Sequence, residues 1–171
     1  GYQIFKMINE DNFIINNYRY SMVINQCIPL LAIKLGLPLK YIVIAYSMSF
    51  VIIYYLCYII VVYGFKNIAA SLSIAFAPLI IRVAFGHSIS EAWLGVGYSA
   101  VFYAILNYYH RWEDLGIRFI ILFYLLIGFV VAINYFIHPI TLFTLGFAIG
   151  FTYFYKKEYK SAYIYIVAGM V

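Results

Sequence analysis

Between Arg118 and Lys156 the chain runs for 37 residues without a charged side chain. As one α-helix, at ~1.5 Å per residue, this stretch would extend ~55 Å, nearly twice the ~30 Å hydrocarbon core of a bilayer. His138-Pro139 stands at its centre. Proline removes a helix donor and clashes with the preceding turn, so the stretch predicts two helices, 119–137 and 140–155, joined by a tight turn. The first holds twelve Leu, Ile, Val or Phe residues between Phe119 and Ile133. At ~0.3–0.6 kcal/mol each, they favour membrane insertion by roughly 4–7 kcal/mol. Neither half carries a polar stretch of the kind a re-entrant loop uses to line a cavity.

The same reading applies to the rest of the chain. Lys40 and Lys66 enclose 25 uncharged residues, and Glu91 and His110 enclose 18. The run after Lys66 is 15 residues long and reaches span length only if it continues past Arg82 to Phe85. Arg82 then snorkels from near the end of that helix. Of the 171 residues, 67% are apolar and 10% are charged. Soluble domains carry about 25% charged residues, so there is too little polar surface here to cover a water-soluble globule. Disorder is excluded on the same ground, and the singly spread basic residues form no nucleic-acid stripe. The expected class is all-α: a polytopic transmembrane helix bundle with spans at about 41–64, 67–85, 92–109, 119–137 and 140–155. A further span, starting at 161, is cut short by the end of the sequence. Gly1 is no initiator, and Val171 stops inside an apolar run, so the chain reads as a piece of a longer protein. Cys27 and Cys57 are too few and too far apart for a disulfide framework or a metal spacing.

Residues 1–40 differ from the rest. In 1–20, Tyr2, Phe5, Met7 and Ile8 share a helical face opposite Gln3, Lys6 and Glu10. The stretch 21–36 is apolar but short, interrupted by Pro29 and Lys34. Both segments predict short helices lying along the membrane interface.

Short loops on one side hold Lys66, Arg111, Arg118, Lys156, Lys157 and Lys160, so the positive-inside rule makes that side cytoplasmic. The expected location is multi-pass in a bacterial inner membrane. Glu10, Asp11, Arg19, Arg82, His87, Glu91 and His138 then gather on the outer face. Arg82-x4-His87-x3-Glu91 is the most informative segment. Its functional reading has Arg82 binding a phosphate at headgroup level while His87 and Glu91 handle protons. A structural reading competes with it, because Ser88-x-x-Glu91 is a capping-box pattern. His138 before Pro139 either fills a turn or adds a second polar contact. Asp11, beside Glu10, is either a solvated helix end or an acid that activates an acceptor hydroxyl. Gln26 and Arg19 offer polar contacts near the interface. Asn107 and Asn134 read as interhelical hydrogen bonds. Two histidines and a carboxylate on one face could hold a divalent metal, but no close His spacing supports it, and no metal or cofactor is assigned.

The layout resembles a known group. Arg19-Tyr20, then Gln26-x-x-Pro29-Leu30-Leu31 and Leu35-Gly36, entering a long span at Tyr41, is similar to the first outer loop and following helix of the polytopic glycosyltransferases of the C superfamily. The resemblance covers residues 1–110. It implies sugar transfer from a polyprenyl-phosphate donor on the outer membrane face. In that family a membrane helix precedes the loop, and an acidic catalytic residue follows that helix. Glu10 and Asp11 lie later than this, and no catalytic residue is carried over. The candidate site is therefore Glu91, His87 and Asp11 for proton transfer, with Arg19, Arg82, His138 and Gln26 for substrate. The competing readings are a transporter subunit, which calls for charged or broken helices at mid-membrane, and a non-catalytic membrane scaffold.

Overall fold

A computed structural model describes residues 2–15, 18–85, 91–109, 114–137, 141–157 and 160–171, with only the backbone described for 78–85 and 91–93. Among the described residues the regular structure is entirely helical. Helix α1 spans Tyr2–Glu10. A short 3₁₀ helix, Tyr20–Met22, leads into α2, Val23–Lys34. Helix α3, Leu39–Ile59, is prolonged by a π-turn at Ile60–Gly64. Then follow α4 (Ile68–Phe85), α5 (Glu91–Asn107), α6 (Ile117–Ile137), α7 (Thr141–Tyr155) and α8 (Ala162–Ala168). Helices α6 and α7 flank His138-Pro139, which lies outside the described residues.

Local chemistry explains the helix ends. Helix α2 closes in a Schellman motif: Leu37 N–H donates to Ala32 O (3.1 Å) and Gly36 N–H to Ile33 O (2.8 Å). Gly36 has φ +67°, which costs glycine little, and Pro38 next prevents the helix from continuing. At the other end of α3, Lys66 adopts φ +51° after the π-turn, and Asn67 caps α4 by accepting from the Ala70 N–H at 3.0 Å. Pro29 does not interrupt α2 as its sequence position suggests. It lies buried inside the helix, where only the hydrogen bond to the Asn25 carbonyl is forfeited.

Helix α5 is the axis of the bundle, packed against α3, α4, α6 and α7. Its buried residues therefore go round the helix rather than down one stripe: Leu94, Ala100, Phe102, Ala104 and Leu106, which point to different sides, all belong to the main core. Small residues let the neighbours come close. A Cβ on Gly95 would collide with the Thr141 methyl of α7, and one on Gly97 would sit 3.1 Å from the Tyr54 ring of α3. The Tyr54 hydroxyl donates to Ile74 O at 2.7 Å, joining α3 to α4.

The N-terminal helix packs on the bundle through only part of its apolar side. Ile4 and Met7 are buried, whereas Tyr2 and Phe5 are exposed. Ile4 packs on Ala32 and Ile42, and Met7 packs on Ile14 and Leu30, two contacts one turn apart that fix the roll of the helix. The Tyr46 hydroxyl donates to Gln3 Oε1 at 2.7 Å and locks α1 against α3.

Two described helices are long and apolar enough to cross a membrane: Leu39–Gly64, with mean hydropathy 2.0, and Ile117–Ile137, with 2.6. Only 33% of either apolar window is buried within the protein. The described parts of α4, α5 and α7 are apolar but shorter.

Candidate functional site

The candidate residues sort by the pole of the bundle to which their elements lead. The starts of α3, α5 and α7 and the ends of α4 and α6 share one pole, since consecutive helices run antiparallel through short connections. Gly95 near the start of α5 meets Thr141 at the start of α7, which fixes this pole directly. Phe65 and Tyr108, whose rings meet edge-on at 5.6 Å, mark the opposite pole.

The 3₁₀ helix is tied to the first pole. Ser21 Oγ donates to Ile133 O at 2.7 Å, and the Tyr20 ring meets Phe136 edge-on at 5.3 Å. Half-buried Arg19 precedes this clasp, beside the C-terminal end of α6. Glu91 opens α5, and Arg82 lies in the last turn of α4, so the backbone brings both to the same pole. The side chains of Arg82 and Glu91, and the whole of His87 and His138, lie outside the described residues. Asp11 is exposed just beyond α1 with φ +46°, a left-handed conformation that Asp adopts more readily than most residues.

Gln26 has a different role from the one the sequence suggests. It is fully buried, and its carboxamide works like a strand partner for Ile14. Ile14 N–H donates to Gln26 Oε1 at 2.7 Å, and Gln26 Nε2 donates to Ile14 O at 2.7 Å. Both ends of the amide are used to hold the segment after α1, which fixes the loop rather than a ligand.

The structure adds a polar ladder that sequence reasoning found only at Asn134. Asn134 is fully buried, and its Nδ2 donates to Val130 O at 2.9 Å within α6. Thr141 Oγ1 donates to Asn134 O at 2.8 Å. Ser99 of α5 lies 2.6 Å from Thr144 Oγ1 and 3.4 Å from Asn134 Oδ1. Two proton orders satisfy these distances. Thr144 donates to Thr141 O (2.6 Å) while Ser99 donates to Thr144, or Thr144 donates to Ser99 and Ser99 to Asn134. Three helices are thus joined by hydroxyls sitting in otherwise apolar runs, and Ser99, Thr141 and Thr144 are the signal that sequence inspection overlooked. Asn107 behaves otherwise: it bonds back to Tyr103 O of its own helix at 2.7 Å rather than across helices. Near the end of a helix a carbonyl one turn back is the closest acceptor.

Ser99 also borders a lateral cavity of about 320 Å³ between α4, α5 and α7, walled by Ala69, Ser73, Ala100, Tyr103, Phe147 and Phe151. Its lining is chiefly apolar. Among the described residues Ser99 bonds only to the ladder. Among the described residues no group of three or more His, Cys, Asp or Glu could hold a metal ion. On α1, the Tyr2 phenol, with Glu10 one turn further along, holds the Lys6 ammonium above the ordinary lysine range.

No known protein family, curated protein or solved structure matches this chain.

Proposed function

We propose that the chain is a multi-pass membrane bundle of a bacterial inner membrane, and that its Arg19–Glu91 pole transfers a sugar from a polyprenyl-phosphate donor. The observation that carries the membrane part is an inverted surface. Hydroxyls and amides such as Ser49, Asn134 and Thr152 are buried, while Phe129, Phe143, Phe147 and Leu125 stand exposed on the outward faces of α6 and α7. In water such a surface is an aggregation hazard; in lipid it is the expected exterior. A core helix of a soluble protein would be mostly buried, yet each of the two longest helices hides only 33% of its apolar window. Tyr41 and Tyr63 near the two ends of α3, with Tyr135 and Tyr155 at the ends of α6 and α7, are exposed at levels suited to aromatic belts.

The transferase part rests on the resemblance of residues 1–110 and on the convergence of Arg19, Arg82 and Glu91 on one pole. In this reading Arg19 and Arg82 neutralise the donor phosphate. Glu91 or Asp11, assisted by His87, takes the proton of an acceptor hydroxyl as its oxygen bonds to the sugar's anomeric carbon. The bond from that carbon to the phosphate oxygen breaks, and the polyprenyl phosphate leaves. His138 adds a polar contact at the same pole. The test uses the full chain in lipid nanodiscs with a radiolabelled polyprenyl-phosphate hexose. Sugar transfer or donor hydrolysis that falls at least tenfold in Arg82→Ala and in Glu91→Gln supports the reading. Unchanged donor turnover in both variants, or no turnover in the whole protein, leaves the scaffold reading in its place.

A further inference from the structure

We propose that the groove between α1 and the α2–α3 corner holds one acyl chain of an anionic phospholipid, whose phosphate is met by Lys34 and Lys40. This rests on the membrane reading above but not on sugar transfer. The groove encloses about 610 Å³ and is walled by Ile4, Phe5 and Ile8 of α1 and by Leu37, Leu39 and Val43 of the corner. Leu39, in the wall of the groove, is 61% exposed, and Leu35, in the Schellman turn before it, is 66% exposed, so the corner presents aliphatic side chains outward. Two cations frame that turn. Lys34 ends α2, and Lys40 lies in the first turn of α3, one turn before Val43 and on the same face. Both are exposed, and neither makes an ion pair among the described residues. On the opposite wall, Lys6 already has Glu10 as its neighbour. The uncompensated positive charge is therefore at the corner, beside the open mouth of an apolar slot.

That combination selects the occupant. A partner helix or a second copy would need apolar surface alone, and a free phosphate would need charge alone. A phospholipid with a net negative head uses both, with the lysine stems lying along the aliphatic turn and their ammonium groups at the phosphate level. Tyr41, exposed one residue after Lys40, sits at the level expected of an interfacial anchor.

The experiment titrates the full chain in detergent micelles with fluorescent phosphatidylglycerol and with phosphatidylcholine bearing the same chains. Each lysine near an anionic head contributes about a 5-fold gain, so the pair predicts roughly a 30-fold preference for phosphatidylglycerol. Lys34→Gln with Lys40→Gln should bring the two lipids to parity, while Val43→Trp, which fills the slot, should weaken both. Unaltered helix content and gel-filtration position establish that these variants are folded. The proposal is overturned by parity in the unaltered protein, by a preference that survives loss of both lysines, or by inorganic phosphate displacing the lipid at matched concentration. It is also overturned if a concentration-dependent dimer forms and excludes the lipid. Extraction of the chain from membranes by alkaline carbonate would instead overturn the membrane reading itself, so the two failures are distinguishable.

Discussion

Replacing Gly95 by alanine should destabilise the bundle, although alanine is the better helix former. The added Cβ runs into the Thr141 methyl and comes within 3.4 Å of Thr141 Cβ. Thr141 is only 3% exposed, and its hydroxyl is committed to Asn134 O at 2.8 Å. Turning the side chain away would break that bond, so α5 and α7 must separate instead. Overpacking of this kind costs about 1–3 kcal/mol, and the gain in helix propensity returns ~1 kcal/mol. The rigid neighbour puts Gly95→Ala toward the upper end of the cost, for a net loss of about 1–2 kcal/mol. Gly128, on α6, has open space where its Cβ would go, so Gly128→Ala should gain ~0.5–1 kcal/mol. Thr141→Ser removes the methyl and keeps the hydroxyl. In a double-mutant cycle it should recover at least ~1 kcal/mol of the Gly95→Ala loss, well beyond the ~0.5 kcal/mol expected of independent sites. The assay is reversible unfolding in mixed micelles, followed by circular dichroism. Equal effects of Gly95→Ala and Gly128→Ala, or additivity in the cycle, would refute the close approach of α5 and α7.

Three further outcomes follow from buried polar groups. Gln26→Leu should cost about 2–3 kcal/mol, because it removes two hydrogen bonds and leaves the Ile14 N–H and carbonyl unpaired, and limited proteolysis should then cut near Ile14; unchanged protection would contradict the bridging role. Tyr54→Phe should lower stability by ~0.6–1.7 kcal/mol in the same unfolding assay, the range for hydrogen bonds between helices in a bilayer, and no loss would dissociate the Tyr54–Ile74 bond from the α3–α4 contact. Asn25 is 1% exposed with no partner for its Oδ1 among the described residues, so Asn25→Leu should raise stability by ~1 kcal/mol, and a loss of that size would mean that the oxygen has a partner in solution.

Much of the helix pattern was legible because charge is so sparse that every lysine or arginine punctuates an apolar run. With the π-turn counted in α3, helices α3 to α7 each lie within two residues of the expected segments. What escaped was decided by packing rather than by pattern. The roll of α1 depends on two contacts, Ile4 with Ala32–Ile42 and Met7 with Ile14–Leu30, neither of which periodicity encodes. Pro29 looked like a break, but a helix loses only one bond at a proline when both flanks are packed. Gln26 looked available to a ligand until the fold brought Ile14, twelve residues upstream, against both ends of its amide. For the candidate site, charge counting puts Glu10, Asp11, Arg19, Arg82, His87, Glu91 and His138 on one face; the helix order leads the Arg19, Arg82 and Glu91 backbones to one pole, while the side chains of Arg82 and Glu91 and the whole of His87 and His138 lie outside the described residues. The hydroxyls of Ser99, Thr141 and Thr144 were passed over because a lone Ser or Thr in an apolar run carries no periodic signal.

A membrane-crossing bundle puts its two poles on opposite sides of a bilayer. Membrane-impermeant maleimide labelling of intact cells tests this, with Cys27 and Cys57 replaced by serine and a single reporter at either pole. Tyr18→Cys, at a position 80% exposed beside Arg19, should react in intact cells, whereas Lys157→Cys should react only after permeabilisation. Equal labelling of both reporters in intact cells would contradict the arrangement, and with it the membrane-crossing bundle.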